Sequence, residues 1–478
     1  MADSSDETPA VTGVSPSPRT AVVVVHGMGE QLPLETLRHF VMTGLPTFEG
    51  KREYFSRPAL ITGSFEARRM LAPRRPLSGP ISHGQTEFFE YHWSYKMTGN
   101  RLSDFVPTFV RLMLRTPKTV PSGLKVIWTL SWLVIVALAA AVVATIIAGV
   151  RFDDFTLGGV LVVLFGQGIV AVALLKLLSW LGSVVTRTFV DVSRYLDRSP
   201  RSYSARRDIR KGMVDLLRGI HEDGRYSRVV VVAHSLGGYI AYDGLTSYWS
   251  ELRSAEARKR APGPTEPFAH LGEVERMARE IGAHPVEVGE LGESPLAALD
   301  RFREAQFELW RDCRKAGNPW LVTDFITLGT PMYFADLLFT KNRSEFGRLV
   351  QNSELPQCPP CAGDEMVEGV AREVGHGYGY TERGRHYLAH SAPFAVVRWS
   401  NLYFPAERGF FGDWFGGPLR PLFGRGILDI PITGNLPGRR APGLAHGRYF
   451  LYPDSHGPHD VATVLQRLMR LTIDDELP

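Results

Sequence analysis

Cysteine is scarce, with three residues in a chain of 478. Three cysteines cannot form a disulfide framework, so the fold does not depend on an oxidising compartment. Net charge is scarce too. The 54 basic and 50 acidic residues leave +4. That excludes the strongly basic surface a phosphate-tracking protein presents, so nucleic acid is not expected as a partner. Lysine supplies only 9 of the 54 basic residues, a skew toward arginine that carries no chemistry of its own. Internal repeats, dinucleotide fingerprints and Walker motifs are missing, so no nucleotide cofactor is expected. A secretory signal is not expected either. Residues 1–19 are rich in Ser, Thr and Pro and carry Asp3, Asp6 and Glu7, which reads as a disordered tail, and the first apolar run, 21–25, is too short for a signal core. What is present is ordinary globular composition, 44% apolar and 22% charged. It excludes a wholly disordered or collagen-like chain and leaves room for one large α/β domain with insertions, or for two domains.

Charge is missing most completely from two stretches. Residues 126–150 run for 25 positions without a charged side chain and residues 155–175 for 21, with only Arg151 to Asp154 between them. Roughly 20 apolar residues span a bilayer core. Soluble helices seldom run this long without a polar face, so the pattern predicts a two-span transmembrane hairpin over 121–190. Arg111, Arg115, Lys118 and Lys125 precede the first span with no acid among them. Arg187, Arg194, Arg198, Arg201, Arg206, Arg207, Arg210 and Lys211 follow the second, against Asp191, Asp197 and Asp208. The positive-inside rule then puts both long flanks in the cytoplasm. The expectation is an integral membrane protein of the plasma or inner membrane, with the bilayer as a partner. Lys176 can snorkel from the end of the second span.

The chemistry lies on either side of this insertion. Residues 19–25 form a continuous β-branched run that ends in His26, Gly27, Met28 and Gly29, as expected of a parallel strand covered on both faces and running into a glycine turn. Residues 228–233 form a second such run, ending in Ala233-His234-Ser235-Leu236-Gly237-Gly238, with helix expected from 239. A serine between small residues at a strand-to-helix turn is a nucleophile elbow. The tight turn lifts the hydroxyl out at the carboxyl edge of the sheet. It also places the Leu236 amide where an oxyanion would form. The usual first glycine is Ala233, which still lacks bulk.

These residues resemble the α/β-hydrolase superfamily. HGMGEQ at 26–31, VVVAHSLGGYIAYDGL at 230–245 and ITLGTPM at 326–332 are similar to its lipase-type branch, including the intracellular phospholipase A1 group of DDHD type. A clean run of the residues that name the DDHD group is missing, and the membrane hairpin is an insertion. The resemblance covers roughly residues 19–95 and 200–465. It implies an α/β-hydrolase fold, a mostly parallel sheet with helices on both faces, whose core comprises 20–120 and 191–478. It also implies Met28 as the second oxyanion donor and a triad in the order serine, acid, histidine. Strands are expected at 321–328, 394–402 and 427–433, and helices at 34–42 and 206–219. Asp413, the only Asp between 365 and 428, follows the second of these strands, with Glu407 as fallback. His446 is the first histidine after the last strand, with His456 and His459 as rivals.

In such a triad the histidine takes the serine proton and the carboxylate fixes the imidazole tautomer. The reading is therefore a membrane-anchored serine hydrolase acting on carboxylic esters, most readily those of lipids, without cofactor or metal. Amide or thioester cleavage is an alternative, as is a hydrolase-like scaffold that has lost activity. Cys358 and Cys361 form a C-x-x-C without a second pair. Even with His376 nearby this falls short of a metal site, and an ordinary loop is expected. The charged segment 252–310 separates the elbow helix from the next strand by more than a normal connection. It is expected to be a surface helical excursion or a lid.

Overall fold

A computed structural model describes residues 19–28, 32–45, 54–59, 61, 68–72, 86–97, 106–151, 176, 191–197, 200–283, 291–340, 342–361, 365–367, 370–372, 377–407, 411–435, 440, 445–451 and 457–471. Its centre is an eight-stranded sheet. In chain order the strands are β1 (Arg19–Val25), β2 (Phe55–Pro58), β3 (Arg68–Ala72), β4 (Thr86–Tyr91), β5 (Tyr226–His234), β6 (Val322–Leu328), β7 (Arg398–Tyr403) and β8 (Leu428–Pro431). Their spatial order is β8-β7-β6-β5-β1-β4-β3-β2. The six strands from β8 to β4 are mutually parallel, and β3 is antiparallel to both its neighbours. The chain is thus an α/β protein with a mostly parallel mixed sheet.

The continuous β-branched runs are explained by cover on both faces. Val23, Val25, Val229 and Val231 pack to one side with Met213 and Leu217 of helix α4 (Pro200–Glu222) and Ile240 and Leu245 of α5 (Gly237–Leu252). Val22, Val24, Val230 and Val232 pack to the other with Phe40 of α1 (Glu35–Gly44) and Leu465 of α8 (Val461–Met469). The expected strands are found with shifted ends. The run at 394–402 yields a strand only from Arg398, because Pro393 opens a 3₁₀ turn, Pro393–Ala395, and a proline cannot donate into a sheet ladder. The strand expected at 427–433 narrows to Leu428–Pro431.

Of the expected membrane hairpin, the first span falls on described residues. One apolar helix, α3 (Lys125–Arg151), follows the short amphipathic α2 (Val106–Met113) and lies between β4 and β5 in the chain. Within Ser122–Ala140 it is long and apolar enough to cross a membrane, and it is the only such helix among the described residues. The second expected span, 155–175, lies outside the described residues.

The lid expected over 252–310 is corrected in its second half. It contains α6 (Leu271–Ala283) and the start of α7 (Glu293–Lys315), which buries Phe302, Gln306 and Trp310. The Arg303 guanidinium of α7 donates to the Trp399 carbonyl at 3.0 Å and to Ser400 Oγ at 2.9 Å, both on β7. A helix bonded into the sheet in this way is core. Its apolar positions recur every three or four residues, which hold it against the sheet.

Candidate active site

Every expected site residue described by the structure lies at the carboxyl edge of the parallel strands. Ser235 follows β5 with φ 55°, a left-handed conformation that non-glycine residues seldom adopt. Its amide donates to the Leu328 carbonyl at 2.9 Å, which ties the turn to β6. The glycines around it are required by close approach. A Cβ on Gly27 would lie 2.8 Å from Ser235 Cβ, and one on Gly237 would lie 2.4 Å from the Val25 carbonyl oxygen. The His26-Gly27 loop is therefore pressed against the serine turn. Leu236 caps α5, so its amide stands at a helix N-terminus. Met28 is half-buried against the core on the same edge.

Three residues distant in sequence meet here. Ser235 Oγ lies 2.7 Å from His446 Nε2, and His446 Nδ1 lies 3.1 Å from each Asp413 oxygen. Asp413 is fully buried. It also accepts the Phe415 amide at 2.8 Å and the Tyr449 hydroxyl at 2.9 Å. This network assigns the proton to His446 Nδ1 and leaves Nε2 free to accept from the serine hydroxyl. Of the alternatives, Glu407 pairs through its backbone with Phe411. His459 is exposed, and its carbonyl accepts from Gly434. His456 lies outside the described residues.

Two supporting histidines had signals in the sequence but no partner to assign. His234 is half-buried, and its removal from water pushes its pKa down to about 3, with His446 adding to the effect. Its neutral Nε2–H donates to the His446 carbonyl at 2.9 Å, fixing the backbone at His446. His26 is lowered by burial to about 4. Its Nδ1–H donates to the Gly27 carbonyl at 2.9 Å, while Nε2 accepts the Trp93 amide at 3.3 Å. The Trp93 indole stacks on the His26 ring, with centroids 5.1 Å apart, and donates to its carbonyl. In a trans peptide the Gly27 carbonyl and Met28 amide point in opposite directions. Clamping the first therefore sets the aim of the second. Tyr449 was legible only as an aromatic three residues beyond His446.

A cavity of about 630 Å³ borders this loop, lined by Leu34, Phe89, Glu90, His92, Tyr95 and Lys96. The His92 ring lies 5.0 Å from His26. Burial raises the Glu90 carboxyl to about 7, although the Leu34 amide donates to it at 2.6 Å. Ser235 itself has no solvent exposure and the His446 side chain little. Among the described residues no group of three His, Cys, Asp or Glu side chains could hold a metal ion. Cys358 and Cys361 are free, and burial raises the Cys358 thiol to about 12. His376 lies outside the described residues.

Compared with known proteins, the chain matches no family model, no curated protein and no solved structure.

Proposed function

We propose that this protein is a membrane-anchored serine hydrolase of the α/β-hydrolase type that cleaves carboxylic esters, with lipid acyl esters as its substrates. The observation that carries the reading is the hydrogen-bonded relay Ser235–His446–Asp413 on a strained strand-to-helix turn. In this mechanism Ser235 Oγ attacks the ester carbonyl while its proton passes to His446 Nε2, and Asp413 stabilises the imidazolium. The Leu236 and Met28 amides stabilise the oxyanion, and losing one such donor costs about 10²–10³ in rate. The imidazolium then protonates the departing alkoxide, leaving an acyl-serine. Water, deprotonated by the same histidine, releases the acid and restores the enzyme. The uncharged runs at 126–150 and 155–175 and their cationic flanks support membrane anchorage with the catalytic body on the cytoplasmic side.

A second reading, a hydrolase-like scaffold without activity, draws on the complete burial of Ser235. One experiment separates the two. A fluorophosphonate probe should label the wild-type protein covalently and leave Ser235→Ala unlabelled, with the variant's melting temperature close to wild type. Equal labelling of Ser235→Ala would place the nucleophile elsewhere. No labelling of wild type, in detergent or in vesicles, would favour the scaffold.

A further inference from the structure

Helix α2 exposes an apolar stripe that the catalytic body does not cover. Val106, Val110 and Leu114 recur at the four-residue spacing that aligns side chains on one helix face, and they are 52%, 48% and 79% exposed. Leu114 continues the helix, its amide donating to the Val110 carbonyl at 3.0 Å. The opposite face, Thr108 and Leu112, is buried, as is Met113 at the end of the helix. From 106 to 125 the chain carries four cations and no acid, with Lys118 and Lys125 exposed.

This helix leads directly into α3, and the two are seated on loops that carry the site. Leu124, Ile127, Ser131 and Val134 of the α3 region are buried against the body, whereas Trp132, Leu133, Ile135, Val136 and Leu138 are exposed. The helix therefore leaves the body at about Val134, at the level of the Trp128–Trp132 pair. Tryptophan is the residue that favours the membrane–water boundary. Residues 133–150 then extend for about 27 Å, close to a bilayer core. At its foot, a Cβ on Gly123 would lie 2.4 Å from the Trp414 carbonyl oxygen, next to Asp413. The Tyr333 hydroxyl donates to that carbonyl at 2.9 Å. Arg111 donates to the Thr340 carbonyl and Arg115 pairs with Asp336, so α2 is tied to the segment that follows β6.

We infer that α2 lies in the membrane interface, with Val106, Val110 and Leu114 facing the acyl chains, and that this face presents the catalytic edge to the bilayer so that substrate reaches Ser235 from the lipid. The occupant of the stripe is the lipid surface. Its continuity with a helix of bilayer-spanning length and the exposed Lys118 and Lys125 that follow it point to that occupant over another protein. The inference rests on the ester-hydrolase reading for its substrate but not for its docking face, and the test keeps the two apart.

The full-length protein, wild type and Val110→Glu/Leu114→Glu, is reconstituted in phosphatidylcholine vesicles containing about one third phosphatidylglycerol. Each is assayed on a long-chain ester in the same vesicles and on a short soluble ester. The variant should lose at least about tenfold in kcat/KM on the vesicle ester and stay within about twofold on the soluble one. Unchanged vesicle activity would overturn the inference. As a measurement independent of turnover, Leu114→Cys in a Cys361→Ser background carries an environment-sensitive fluorophore. Blue-shifted emission quenched by lipids bearing acyl-chain nitroxides is the expected result, and emission typical of water overturns the docking face even if both activities fall through misfolding. If wild type cleaves neither ester, the hydrolase reading fails while the fluorophore still reports whether α2 is embedded.

Discussion

The two ends of the parallel sheet bury polar groups in opposite ways. At the carboxyl edge, Ser235, His446 and Asp413 form a chain of hydrogen bonds with one carboxylate at its end, held by a backbone amide, a tyrosine and a histidine. At the amino end, Asp324 accepts from Arg228 at 2.8 Å and from both Arg398 Nε and Nη2 at 2.9 Å, and also from Thr323. Those two guanidinium groups hold the Asp324 carboxyl well below its usual range despite burial. The first arrangement has a proton that can move along it. The second is a closed ion cluster locking β5, β6 and β7 together, and nothing in it is free to react. Burial and hydrogen bonding are shared by both ends, so they do not mark a reactive site. What separates them is an acceptor nitrogen beside a hydroxyl on a strained turn.

The largest effect should follow from breaking the carboxyl edge. His446→Ala should lower kcat/KM by several orders of magnitude, because triad members act as one unit. His459→Ala should leave activity at the wild-type level. A dead His459→Ala enzyme would show that the base in the working conformation is not the one hydrogen-bonded to Ser235 here.

The amino end should fail in the complementary way. Asp324→Ala leaves two buried guanidinium groups without their shared partner, and uncompensated charge of this kind costs about 3–5 kcal/mol. The expected outcome is a large drop in the denaturant midpoint, with fluorophosphonate labelling per folded molecule unchanged at low temperature. Loss of labelling in molecules that remain folded would mean that the two ends are coupled.

These two ends were not equally legible in the sequence. The carboxyl edge announces itself locally: small residues around Ser235 and Gly27 are demanded by approach distances, and the order serine, acid, histidine follows the strand order. Asp413 and His446 could be named because each comes after a readable strand. The amino end offers no local signal, since Arg228, Asp324 and Arg398 lie in three separate strands and meet only through their register. The same holds for the His234 bond to the His446 carbonyl and for Gly123 against Trp414, contacts that span hundreds of residues. The 252–310 segment misled because its many charges describe the outer face of α7, while Phe302, Gln306 and Trp310 at helical spacing describe the inner one.

The smallest effect concerns protonation at the amino end. His221 lies near the end of α4, where its Nδ1–H donates to the Leu217 carbonyl at 2.7 Å and its Nε2 accepts the Leu321 amide at 3.0 Å, just before β6. Burial lowers its pKa to about 4 from 6.5. Below pH 6.5 the unfolded chain takes up a proton that the folded ring refuses until about pH 4. Stability from this group is therefore complete above pH 6.5 and is lost as pH falls through that window, at about 1 kcal/mol per pH unit. Asp429, raised to about 6, and Glu90, raised to about 7, act in the opposite sense, gaining stability as pH falls. The total profile mixes these contributions, so the useful quantity is a difference. His221→Gln removes the titrating group. It should be less stable than wild type at pH 7.5, yet its unfolding free energy should fall less steeply between pH 6.5 and 4.5, by about 1 kcal/mol per unit. Denaturant unfolding at four pH values measures this. Parallel profiles for the two proteins would mean that His221 is protonated in the folded state. The amino end would then hold a cation where its hydrogen bonds call for a neutral ring.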